Sequence, residues 1–223
     1  MLIVVAGCGS EEAEEGIPDA GFATYEVTYS KVLRDDPTFG AYLPRNVSCV
    51  YDSTGIKATA SAPLGIVVLS IVMGPHGSFI TTSFDKAKLL VPLGDLWEAG
   101  GSDNAEDGLT VVQSESRQDI AGYLSTHLTI SPKDPDIHGC VDLFFVPFDT
   151  ESPGHDRWDV EDLRRPAGLI TAMNISYDEC NVMLLLKDVK RRDSIDRHEF
   201  ERPRGYIEAS KRDIVSVGNL LLN

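Results

Sequence analysis

The chain has 223 residues, 42% of them hydrophobic, and a formal net charge of −15 with a pI near 4.6. So acidic a surface repels a polyanion on approach, which excludes nucleic acid as a partner. The longest apolar run in the body, residues 65–73, is about half the ~20 residues that a helix needs to cross a bilayer, and the length suits one large β domain as well as two small ones.

The N-terminus reads Val5-Ala6-Gly7-Cys8, small residues before a cysteine at the end of a short apolar run, and then turns acidic over Glu11, Glu12, Glu14 and Glu15. A bacterial lipoprotein signal peptidase accepts this pattern. Residues 1–7 are then a signal remnant, and Cys8 is the acylated first residue that tethers the chain to a membrane. The apolar run is shorter than a secretory core and carries no basic residue; the alternative is a buried strand over Leu2-Ile3-Val4-Val5 with Cys8 as a packed thiol. A buried strand seldom runs straight into a string of glutamates, which favours lipidation. Residues 8–20 read as an acidic tether, ending at Ile17-Pro18, that lifts the domain off lipid. Residues 21–223 are the domain.

From Gly21 the period becomes two. Ala23, Tyr25, Val27 and Tyr29 alternate with Thr24, Glu26 and Thr28, the pattern of a strand with one wet face. A hairpin follows, with Val47–Tyr51 and Ile56–Ser61 flanking Asp52-Ser53-Thr54-Gly55. Residues 65–73 are apolar on both faces, and β-branched Ile66, Val67, Val68, Ile71 and Val72 favour a central buried strand over a short helix. Ser78–Ser83 and Lys88–Leu93 form another hairpin. After the polar loop 100–108 come strands over Leu109–Ser114, Ile120–Ile130, Cys140–Pro147, Ala167–Tyr177 and Asn181–Val189. Short helices are expected at His155–Arg165 and after the capping box Ser210-Lys211-Arg212-Asp213. Ten or eleven short strands with one or two helices predict a mainly β (α+β) fold, a single strongly curved antiparallel sheet.

Few residues point to chemistry. Cys49, Cys140 and Cys180 form no C-x-x-C pair, so zinc and thioredoxin-type chemistry lack their signature. An oxidising envelope permits one disulfide, Cys140–Cys180; three buried reduced thiols are the alternative. The five histidines lie apart without ligand spacing, each read as a surface or loop residue. The acidic loop Asp103–Gly108 fails the EF-hand template because Ala105 and Ser114 occupy ligand positions. Asp134-Pro135-Asp136-Ile137-His138 reads as a turn before it reads as a metal clip. No metal site and no cofactor is expected. Lys187, Lys190, Arg191 and Arg192 form a basic cluster that suits anionic headgroups or a partner's carboxylates, although balancing an acidic surface explains it more simply.

Three pieces stand in a familiar order: Gly21–Tyr29 with Leu43-Pro44, then Ile120-Ala121-Gly122-Tyr123, then Phe200-Glu201-Arg202-Pro203-Arg204-Gly205-Tyr206. Together they resemble a family of uncharacterised Bacteroidota envelope lipoproteins whose domain is similar to the lipoprotein carriers LolA and LolB. The resemblance covers roughly Gly21 to Leu222. It departs from the family at Leu124, where a cysteine often stands, and in the lipid anchor, which members often lack. The resemblance implies an incomplete, cup-shaped β-barrel with one or two helices across the open side. It also implies an apolar interior for acyl chains and no catalytic machinery.

Residues on the two-sided apolar segments are the expected lining of such a cup: Ile66, Val68, Ile71, Phe79, Leu90, Phe144, Met173 and Met183. The alternative is that they fill a closed core. The expected function is a membrane-anchored, non-enzymatic cell-envelope lipoprotein at the outer membrane that binds a lipid or another hydrophobic ligand. Other envelope proteins are candidate partners. The rival is a scaffold or protein-interaction module with a packed core. An enzyme would need a buried histidine–carboxylate pair in a cleft.

Overall fold

The computed structural model describes residues 17–37, 40–65, 67–84, 87–92, 108–134, 136, 139–148 and 168–209. Cys8, Ile66, the loop 100–107, His138 and the two expected helices lie outside the described residues. β1 (Gly21–Tyr29) is followed by a single-turn helix, α1 (Lys31–Arg34), and by the hairpin β2 (Asn46–Asp52) and β3 (Gly55–Ser61). The Asp52 carboxylate accepts from the backbone N–H groups of Thr54 and Gly55 at 2.7 and 3.1 Å, which is how an aspartate stabilises a tight turn. Next come β4 (Val67–Gly74), β5 (Gly77–Phe84) and β6 (Ala87–Pro92). The chain continues through β7 (Leu109–Gln113), β8 (Gln118–Ile120), β9 (Tyr123–Pro132) and β10 (Cys140–Pro147). It ends in β11 (Gly168–Tyr177), β12 (Cys180–Arg191) and the two-residue β13 (Ile207–Glu208). The segment expected as one strand over Ile120–Ile130 breaks at Ala121 and Gly122, whose positive φ angles of 55° and 83° make a two-residue hairpin turn.

These strands form one open, curved sheet in the order β13-β6-β5-β4-β3-β2-β1-β12-β11-β10-β9-β7, with β8 beside β9. The pairings are antiparallel except at one edge, where β13 runs parallel to β6, a departure from the all-antiparallel expectation. β1 lies in the middle because it pairs with both β2 and β12. The curvature is measurable. In a flat sheet β10 and β2 would stand about 19 Å apart, four spacings of about 4.8 Å. Phe148, just past β10, instead stacks on Tyr51 of β2 with ring centroids 5.3 Å apart.

The face toward which the sheet curls is apolar from strand to strand. Cross-strand register sets Leu69, Ala60, Val47, Tyr25 and Leu186 in one row, and Ile71, Ala58, Cys49, Ala23 and Val189 in the next. Toward the other edge, Val182, Ile175, Val141, Ile130 and Val111 form a third row. Ala23, Tyr25, Cys49, Tyr51, Leu169 and Leu186 are fully buried at the centre of this inner face. Each large apolar side chain removed from water there contributes about 1.5–3 kcal/mol. Ile17, expected in the tether, packs against the same cluster.

The expected Cys140–Cys180 bridge is absent: Cys49, Cys140 and Cys180 are free thiols. β11 separates the two half-buried cysteines. Cys140 pairs with Ser176 and Cys180 with the adjacent Tyr177, so their side chains leave opposite faces of the sheet and no disulfide can span them.

Candidate functional site

The eight expected lining residues do not share one surface, because alternation along each strand divides them. Ile71 and Met173 lie on the inner face; Ile71 is 39% exposed and Met173 half-buried. Phe79 and Leu90 lie on the outer face and are closed over by the C-terminal segment, 6% and 1% exposed. Val68 is outer and half-buried between Ser61 and Ser83. Phe144 and Met183 are also outer and line an open hollow at the opposite side of the sheet. Ile66 is outside the described residues.

The C-terminal segment is a strap that sequence reading missed. From Arg192 it crosses the outer face of β3, β4 and β5, making one 3-10 turn at Arg197–Phe200 that the Asp196 carboxylate caps at the His198 N–H, 3.0 Å away. Phe200, 1% exposed, is its anchor. It seats where Gly55 and Gly74 leave room: a Cβ on either would come within 2.9 Å or 3.0 Å of the Phe200 side chain. The Lys57 ammonium meets Glu199 at 2.5 Å, and the Ala209 N–H donates to the Leu90 carbonyl at 2.8 Å, which fastens the strap to β6. Phe200 and Tyr206 are isolated aromatics among charges, with no helical or strand period to announce them.

A cavity of about 410 Å³ lies between the strap and the sheet. Its floor is Ser70 and Thr81, 7% and 6% exposed, beside Val72 and Phe79. Its rim is Lys57, Glu199, Glu201, Arg202, Arg204 and His198. The Glu201 carboxylate accepts from His198 Nδ1 at 2.8 Å, and this hydrogen bond holds the exposed His198 above the usual imidazole range.

The second hollow, about 620 Å³ and open to solvent, sits on the outer face over β9 to β12. His127, expected as a surface or loop residue, is a half-buried strand residue here. Its Nε2 is 3.0 Å from Asp142, which also accepts from the Thr129 hydroxyl at 2.9 Å, and its ring stacks flat on Phe144 at 4.3 Å. Asn174 and Asn181 each donate to Ser176. A histidine–carboxylate pair therefore exists, but Asp142 and Phe144 fix it on a face open to water. Asp136 donates its N–H to Asp134 at 2.9 Å, the geometry of a turn. Among the described residues, no group of three or more His, Cys, Asp or Glu could hold a metal.

On the inner face the chemistry is apolar with hydroxyls sunk in it. Burial pushes the Cys49 thiol up to about 12 and raises the Tyr25 and Tyr51 phenols, so all three stay protonated and unreactive near neutral pH. The Tyr51 hydroxyl is buried and has no hydrogen-bond partner among the described residues. Leu69 and Ile71, in the middle of the sheet, are each 39% exposed, and Ile175 and Tyr177 are 37% and 57% exposed.

No protein-family model matches the chain, and no curated protein matches it in sequence. Solved structures do align with the chain. PNGF-II superposes with a TM-score of 0.50 at 9% identity over 92% of this chain and 34% of that chain. The chain thus spans about a third of PNGF-II, and the likeness is one of fold. The lipoprotein LppX of Mycobacterium tuberculosis aligns at a TM-score of 0.34 and 8% identity, over 80% of this chain and 90% of that one. LprF of Mycobacterium bovis aligns at 0.28 and 13%, over 79% and 89%.

Proposed function

We propose that the protein is a membrane-anchored, non-enzymatic lipoprotein of the cell envelope that binds a lipid or another hydrophobic ligand against the inner face of its open sheet, as the LolA/LolB-like resemblance implies. The supporting observation is the 39% exposure of Leu69 and Ile71 on a strand flanked on both sides by other strands. An acyl chain laid on such a wall gains about 0.8 kcal/mol per buried methylene, and a wall without directional polar groups imposes little selectivity. The anchor is Cys8, residues 8–20 are the tether, residues 21–223 the ligand-binding domain, and the outer membrane the location. Among the described residues no helix is long and apolar enough to cross a membrane. The rival reading is a scaffold whose inner face is packed core throughout, and the sealed cluster around Tyr51 favours it locally.

Two measurements test the proposal. Metabolic labelling with a palmitate analogue should modify the wild-type chain and not Cys8→Ala; an unlabelled wild type removes the anchor. Native mass spectrometry of the Cys8→Ala chain should show a retained or added fatty acid or lipopeptide. A chain that stays bare in excess ligand sinks the binding proposal.

A further inference from the structure

The cavity under the strap is built for something the inner face is not. Its floor holds two hydroxyls on residues more than nine-tenths buried, Ser70 and Thr81, set side by side by the pairing of β4 with β5. Ser70 Oγ shares a hydrogen bond of 3.0 Å with Thr59, and Thr81 beside it lines the cavity.

The rim charges do not cancel in place. Glu199 is taken by Lys57 and Glu201 by His198, while Arg202 pairs with Glu208 outside the cavity. Arg204 lines the cavity and makes no ion pair among the described residues. A guanidinium offers a planar fork of donors that matches an oxyanion. The volume of about 410 Å³ exceeds what a bare inorganic ion fills, and Val72, Phe79 and Tyr206 give it apolar walls.

We propose that this cavity binds a small amphiphilic carboxylate, its oxyanion on Arg204 at the rim and its apolar body against Val72, Phe79 and Tyr206 above the Thr81 hydroxyl. The site is separate from the inner face and does not depend on it, since the two surfaces are opposite sides of the same strands.

Calorimetric titration of the full chain with octanoate, octanol and inorganic phosphate tests this. Octanoate should bind about tenfold or more tightly than octanol, the worth of one charge-assisted hydrogen bond, and phosphate weakly. Arg204→Gln should bring octanoate down to the octanol level. Thr81→Val should weaken binding without loss of thermal stability. Val112→Ser, on the edge strand β7 and away from both surfaces, should leave octanoate binding unchanged. Equal binding of octanoate and octanol, phosphate as tight as octanoate, or full octanoate affinity in Arg204→Gln each overturns the proposal. If Ile71→Glu and not Arg204→Gln removes octanoate, the ligand lies on the inner face: this site fails and the inner-face reading stands.

Discussion

β1 and β4 lie in the same sheet and follow opposite rules. On β1 the inner side chains Ala23 and Tyr25 are 0% and 4% exposed while outer Glu26 and Thr28 face water, the ordinary division for a sheet with one wet face. On β4 the outer residues Ser70 and Val72 are buried, and inner Leu69 and Ile71 are exposed. A serine is hidden and a leucine and an isoleucine are wet. The strap causes the first half of this inversion by covering the outer face. The second half marks where the curled sheet stops closing on itself: around β1 and β2 the inner face meets Phe148 and Leu169 from across the curl, but at β4 Leu69 and Ile71 each remain 39% exposed. This exposed apolar strand face is the observation on which the binding proposal rests.

The largest effects should come from breaking the strap. Phe200→Ala should destabilise the chain by about 3–5 kcal/mol in chemical denaturation, the cost of emptying a fully buried aromatic site. Phe144→Ala, on the uncovered outer face, should cost about 1 kcal/mol. Equal losses would erase the distinction between covered and bare outer faces.

The sealed centre around β1 should fail next, in alkali. The Cys49 thiol rises from 9.0 to about 12, and the Tyr25 and Tyr51 phenols are raised with it. The folded chain holds protons that the unfolded chain releases, so the stability from these groups is whole below pH 9 and drains away as pH climbs towards 12. Denaturation midpoints followed across that window should fall steadily; a flat profile would mean the centre is wet.

Smaller changes sharpen the boundary. Gly74→Ala places a Cβ 3.0 Å from the Phe200 side chain and 3.1 Å from its carbonyl oxygen, and should cost about 1–3 kcal/mol as the strap shifts. Tyr51→Phe removes a buried hydroxyl that has no partner among the described residues, and should raise stability by about 1 kcal/mol. A loss there would reveal a partner for that hydroxyl.

Much of the sheet was legible in the sequence because its signals are local. The alternation in β1 names both its bounds and its buried side, Asp52 and Gly55 name a turn, and Cys140–Pro147 reads as a strand with the limits it has. Legibility ended where the answer depends on register between distant segments. Phe79 and Ile71 look alike in sequence, yet the strap closes over one and leaves the other exposed. His127 finds Asp142 only because β9 and β10 pair with Phe144 opposite His127. The strap is hardest to foresee, because its single anchor, Phe200, means nothing until Gly55 and Gly74 are brought beside it.

The central claim is that the inner face at β4 is ligand surface and not core. Ile71→Glu tests it most directly, with thermal stability and uptake of the long-chain fatty acid palmitate measured on the same sample, octanoate being the probe of the separate cavity under the strap. The account predicts a melting temperature within a few degrees of wild type, as for a surface substitution, together with loss of uptake. An unfolded variant, or one that takes up fatty acid as the wild type does, would contradict it.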